Sequence, residues 1–65
     1  MYVLYKFTPE GKLWFQRTNQ KNELIFTEHQ TDAMHFNTED GAKHCMEDIM
    51  SGNTRVNLSI EISHV

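Results

Sequence analysis

The residue types here that could do chemistry are four histidines, His29, His35, His44 and His64, and one cysteine, Cys45. Imidazole and thiolate are the ligands zinc prefers, and a site needs three or four of them converging, usually through short paired spacings such as C-x2-C or H-x3-H. No such pair is present. His44 and Cys45 are adjacent, so on a helix their side chains diverge by about 100°. The other three histidines fall singly on separate segments, a pattern of ordinary surface histidines, and neither a metal nor a cofactor is expected. Nucleophilic and acid–base chemistry have no better footing. Cys45 sits on an apolar stripe, where a thiol is expected to be buried and inert rather than activated. Glu47 and Asp48 are neighbours on the wet side of the same helix, which a solvated face produces by default. There is no Gly-rich phosphate loop and no Ser-centred elbow. A domain this small leaves little room beside its core for a pocket of ~300 Å³. No enzymatic activity is expected.

The element that positions His44, Cys45, Glu47 and Asp48 is the stretch 38–52, TEDGAKHCMEDIMSG. Ala42, Cys45, Met46, Ile49 and Met50 recur at i, i+3, i+4, i+7 and i+8, which places them on one stripe of an α-helix. Asp40, Lys43, His44, Glu47, Asp48 and Ser51 take the other face. Thr38 is placed to cap the first turn, and Glu39 and Asp40 complement the positive end of the helix dipole. Gly52 closes the helix, with Asn53 as a second breaker. Gly41 weakens the first turn by about 1 kcal/mol relative to alanine.

Around this helix the chain reads as strands. Residues 2–8, YVLYKFT, are β-branched and aromatic, with Tyr2, Leu4 and Lys6 on one face and Val3, Tyr5 and Phe7 on the other. Pro9-Glu10-Gly11 supplies turn chemistry, and residues 13–18, LWFQRT, complete a hairpin. A polar turn at 19–22 leads into residues 23–28, ELIFTE, with Leu24 and Phe26 on one face and Ile25 and Thr27 on the other. Residues 29–37 read as a turn at Thr31-Asp32 and a brief extended piece into the helix. There, Ala33 and Phe36 could drop onto the core from one turn, or residues 34–36 could form a short strand. After the helix, residues 55–64 alternate cleanly, with Val56, Leu58, Ile60 and Ile62 set against polar partners.

The expected architecture is a single α+β domain over residues 1–65, ordered β-β-β-α-β, with one helix packed on a small, mostly antiparallel sheet. Strand order 3-2-1-4 follows if the last strand joins beside the first through a right-handed crossover. A chain of 65 residues buries only about 60% of the surface its unfolded form exposes, so its own core leaves little margin. One cysteine excludes an internal disulfide and suits a reducing, cytoplasmic compartment. No signal peptide is visible in MYVLYKF, and no apolar run approaches the ~20 residues that span a bilayer, so no membrane partner is expected.

Charge and aromatic placement indicate partners. The formal net charge is −3, and it is uneven: residues 1–30 hold four bases against three acids, and residues 31–65 two bases against six acids. Phosphate-backbone binders are normally basic, so nucleic-acid binding is disfavoured. The acidic helix face, Glu39, Asp40, Glu47 and Asp48, reads either as a solubilising surface or as a docking surface for a basic protein. The first three strands carry large apolar groups on both faces, more than one helix can cover. Either Val3, Tyr5, Phe7, Trp14 and Ile25 or the opposite set must face away from the helix, and Tyr5, Phe7, Trp14 and Ile25 are the candidates for self-association, most simply as a two-fold homodimer, or for contact with a partner. The alternative use of the same sheet is base stacking by Tyr5 and Trp14 beside Lys6, Lys12 and Arg17.

Residues 33–42, AMHFNTEDGA, resemble an A-x-x-F-x-T-x-x-x-A pattern of small bacteriophage accessory proteins, in which a strand enters a capped helix. The resemblance spans roughly residues 24–62, and Gly41 departs from the helix-favouring residue usual before the last alanine. It implies a phage or mobile-element origin, residence in the host cytoplasm, and a non-catalytic protein that binds and redirects or inhibits a host or defence enzyme.

Overall fold

The structure, a computed structural model, describes residues 1–52 and 60–65. Its frame is the hairpin of β1 (Tyr2–Thr8) and β2 (Gly11–Thr18). The antiparallel ladder pairs Tyr5 with Trp14, Phe7 with Lys12 and Thr8 with Gly11. Pro9 and Glu10 alone make the turn, so β2 begins two residues ahead of the apolar run that announces it. The turn closes because Gly11 takes φ 131°, a backbone region open to glycine. The Thr8 hydroxyl then donates to the Gly11 carbonyl at 2.7 Å. β3 (Leu24–Thr27) follows a loop held by Asn19. Its side-chain oxygen accepts from the backbone N–H of Lys21 and of Glu23, both at 2.9 Å, and Asn22 turns the chain at φ 60°.

The sheet order is β3-β2-β1-β4, as expected, with every pairing antiparallel. β4 (Glu61–His64) pairs Leu4 with Ile62 and Tyr5 with Glu61. The first part of the strand expected over 55–64, with Val56 and Leu58, lies outside the described residues. Because β4 runs antiparallel to β1, it also runs against β3. The connection through the helix is therefore not a crossover between parallel strands, and the handedness rule used to order them does not govern it.

α1 (Glu39–Gly52) forms as its spacing dictates. Thr38 is the N-cap, its hydroxyl oxygen accepting from the Gly41 N–H at 3.1 Å. Ala42 and Ile49 from the stripe join Leu4, Phe15 and Ile60 in the buried core, with Cys45, Met46, Leu24, Phe26, Phe36 and Ile62 packed around them. α1 packs mainly on β1 and β4. It does not span the sheet, so the β2–β3 half of this face is left partly open. Lys6 lays its ammonium over the Phe26 ring at 4.1 Å, near enough for cation–π attraction.

Between β3 and α1 the chain makes a 3-10 turn (Gln30–Asp32) and then an extended piece. Phe36 exchanges backbone hydrogen bonds with Tyr2, at 2.9 and 2.8 Å, and the Met34 N–H donates to the Phe15 carbonyl at 3.0 Å. Both readings of this segment hold in part: Ala33 is buried and Phe36 half-buried from a turn, and Phe36 also bridges to β1. Among the described residues no helix is long and apolar enough to cross a membrane.

Candidate interaction surfaces

Two faces of the molecule remain unfilled by the core, and each follows from a local device. On the far face of the sheet, away from α1, strict alternation in β2 would put Leu13, Phe15 and Arg17 together against the helix. An arginine there would be buried without a partner. A bulge between Phe15 and Arg17 resolves the conflict by pairing Arg17 with Ile25, across from Phe15 with Phe26. Arg17 thereby turns to the far face, beside Ile25.

That face now carries Tyr5 and Phe7 from β1, Lys12, Trp14 and Arg17 from β2, Ile25 from β3 and Glu61 from β4. Phe7 is 67% exposed, while Tyr5, Trp14 and Ile25 are half-buried by their neighbours. The Tyr5 and Phe7 rings meet edge to face with centroids 5.5 Å apart. The Lys12 ammonium lies 4.5 Å from the Tyr5 ring and 5.6 Å from that of Phe7, near enough for cation–π attraction. From the other flank Glu61 accepts the Tyr5 hydroxyl at 2.7 Å. That hydrogen bond, with smaller effects of burial and of the carboxylate charge, raises the Tyr5 phenol above its ordinary value of 10.0.

Val3 is a correction to the sequence-based grouping. Alternation places it on the same far face, yet it is fully buried and stands apart from the core beneath α1. The 29–36 segment, which packs on β2 through its 3-10 turn and bridges Phe36 to Tyr2, reaches this end of the sheet. The uncovered set is therefore Tyr5, Phe7, Trp14 and Ile25. Lys6 also leaves the group of bases expected around Tyr5 and Trp14, since it lies over Phe26 on the helix side.

The second surface is α1 itself. Glu39, Asp40, Glu47 and Asp48 are all exposed, and none of them makes an ion pair among the described residues. Asp48 stands on the flank toward β2 and β3. There it borders a groove of about 380 Å³, whose apolar lining comes from Phe15, Leu24, Met34, Cys45 and Ile49. The groove exists because α1 sits over β1 and β4, and nothing in the one-dimensional pattern announces it. Cys45, expected in the core, forms part of the groove wall and is half-buried. Burial raises its thiol above the ordinary value of 9.0, and the charge of Asp48 adds to the shift.

The histidines stay apart. His64 packs against Tyr2 with ring centroids 4.9 Å apart and planes tilted by 48°, His35 reaches the Ala33 carbonyl at 2.8 Å, and His29 and His44 are exposed. Among the described residues no three His, Cys, Asp or Glu side chains come close enough to hold a metal ion.

The residue that sequence reasoning missed is Glu61, which alternation marks only as solvent-facing. The signal that would find it is the register of β4 against β1, and that register cannot be read from either strand alone. No family model matches the chain, and neither does any curated protein or solved structure.

Proposed function

We propose that this chain is a small non-catalytic protein-binding module that acts by occupying surface. The observation that supports this reading is the far face of the sheet, where Tyr5, Phe7, Trp14 and Ile25 adjoin across three strands and Phe7 is 67% exposed. Tyrosine and tryptophan are the residues that concentrate binding energy at interfaces. The acidic face of α1 is a second docking surface, suited to a basic protein partner. In the bacteriophage form of this reading, the partner is a host or defence enzyme and the chain is its inhibitor. That part rests on the resemblance of residues 33–42.

Affinity purification from the native host, with the intact chain as bait, tests the proposal. The expected result is a stoichiometric protein whose capture weakens with salt and is lost when Glu47 and Asp48 are both changed to lysine. Recovery of no stoichiometric partner counts against it.

A second reading is favoured by one observation: the bulge brings Arg17 onto the face that already carries Lys12, Tyr5 and Trp14. Bases could stack there while the two cations follow phosphates. The net charge of −3 and the position of Glu61 oppose it. Labelled single-stranded DNA or RNA that fails to bind at low salt, where electrostatics are strongest, removes this reading.

A further inference from the structure

We propose that the occupant of the aromatic sheet face is a second copy of this chain, paired by a two-fold axis that runs along β1. The inference rests on the reading above that this face is a contact surface, and it names what is contacted.

The argument is the distribution of charge about β1. Lys12 and Arg17 lie on β2, to one side of it, and Glu61 lies on β4, to the other. Rotation by a half-turn about an axis along β1 lays β4 of one copy over β2 of the other and leaves each residue at its own height along the strands. Glu61 is level with Tyr5, and Tyr5 is level with Trp14. Each Glu61 therefore arrives above the partner's Trp14, between the partner's Lys12 and Arg17, and the contact is made twice. Tyr5 and Phe7 sit at the axis and meet their own copies. An isologous contact requires this kind of self-complementarity. A half-turn about an axis across the strands would instead set β4 on β4 and bring the two Glu61 carboxylates onto one strand pair. The direction of the axis is thus chosen by charge.

Size sets the strength. Three strands of each copy overlap, at about 4.8 Å spacing and about 3.4 Å per residue, roughly 14 × 24 Å in projection. The two faces together then bury less than the ~1,000 Å² expected of a stable interface, so the pair is weak and transient and fills only toward millimolar concentration. Face-to-face pairing leaves both α1 helices on the outside, pointing away from each other. The assembly then presents two acidic surfaces to a partner, and avidity strengthens binding to any target with two basic sites in reach.

Sedimentation equilibrium on the intact chain, from low micromolar to millimolar concentration, is the test. The mass should climb from 7.7 kDa toward twice that value. Lys12→Glu and Glu61→Lys, both at exposed positions, should each raise the dimer dissociation constant roughly tenfold. An equimolar mixture of the two variants, or the double variant, should recover much of the loss. Phe7→Glu should abolish pairing, with far-ultraviolet circular dichroism showing that the fold is kept. A mass of 7.7 kDa at every concentration overturns the inference, as does a dimer indifferent to Phe7→Glu and to both charge reversals. A monomer that still captures a basic partner through α1 leaves the binding-module reading standing. A dimer that captures nothing separates the two in the other direction.

Discussion

The Tyr5 hydroxyl donates to Glu61 Oε2 at 2.7 Å, across the β1–β4 pair and on the face that α1 leaves open. The bond joins the first strand of the chain to the last at the centre of the aromatic surface. It exists only while the phenol is protonated, because a phenolate beside a carboxylate has no proton to donate. Folding therefore favours the neutral phenol, and the Tyr5 value rises above 10.0. The stabilisation is fully present below the unfolded tyrosine value near 10 and is lost as pH climbs through the higher folded value. Phenolate absorbance in a Tyr2→Phe background should show Tyr5 titrating late. Glu61→Ala should return it toward the ordinary value. A Tyr5 midpoint unmoved by that substitution would mean the bond is not formed in solution.

Thr38→Ala should lower stability by about 1 kcal/mol, since the Gly41 N–H loses the acceptor that caps the first turn of α1. Thr38→Ser, which keeps the hydroxyl, should recover most of it. Thermal denaturation of the three proteins at equal concentration decides the matter.

Gly11→Ala is expected to cost about 1–2 kcal/mol, and for a purely conformational reason. A methyl group there would meet no atom within 4 Å, but at φ 131° an alanine backbone is strained. Equal urea midpoints for the two proteins would rule this out.

Cys45 should react slowly with alkylating reagents at neutral pH and faster as pH rises beyond 9, because burial and the Asp48 charge both disfavour the thiolate. Asp48→Asn removes the smaller of the two effects and should accelerate alkylation modestly. A rate at pH 7 matching that of the unfolded chain would place Cys45 outside the groove wall.

Leu4→Ala should cost about 2–5 kcal/mol, enough to unfold much of a domain this small at moderate temperature. Leu4 is fully buried at the centre of the core, against Phe15, Ala42, Ile49 and Ile60. Loss of cooperative melting in the variant is the expected observation.

What the sequence determined by itself was whatever depends on neighbours along the chain. The stripe from Ala42 to Met50 and the Thr38 cap place α1 to within a residue, because helix periodicity and capping act over one or two turns. Pro9-Glu10 and Asn19 specify their turns through their own backbone preferences and side-chain hydrogen bonds. Alternation named the two faces of β1 and β3, but not which of them stays open, and the strand order was reached through a crossover rule that the antiparallel β4 does not obey. The tertiary structure alone decided which surface each face meets. Arg17 leaves the core side only through a bulge that the pairing with β3 creates. Val3 is fully buried and Tyr5 only half-buried, although they share a face, and the 29–36 segment bridges to Tyr2 at the Val3 end of the sheet. Lys6 lies over Phe26, and Cys45 packs at the margin of the core, where it also lines a groove that α1, resting over β1 and β4, leaves open. Each of these is a matter of register or of where a rigid element lands. Such placements are set by contacts between residues far apart in the chain, and no window of neighbouring side chains contains them.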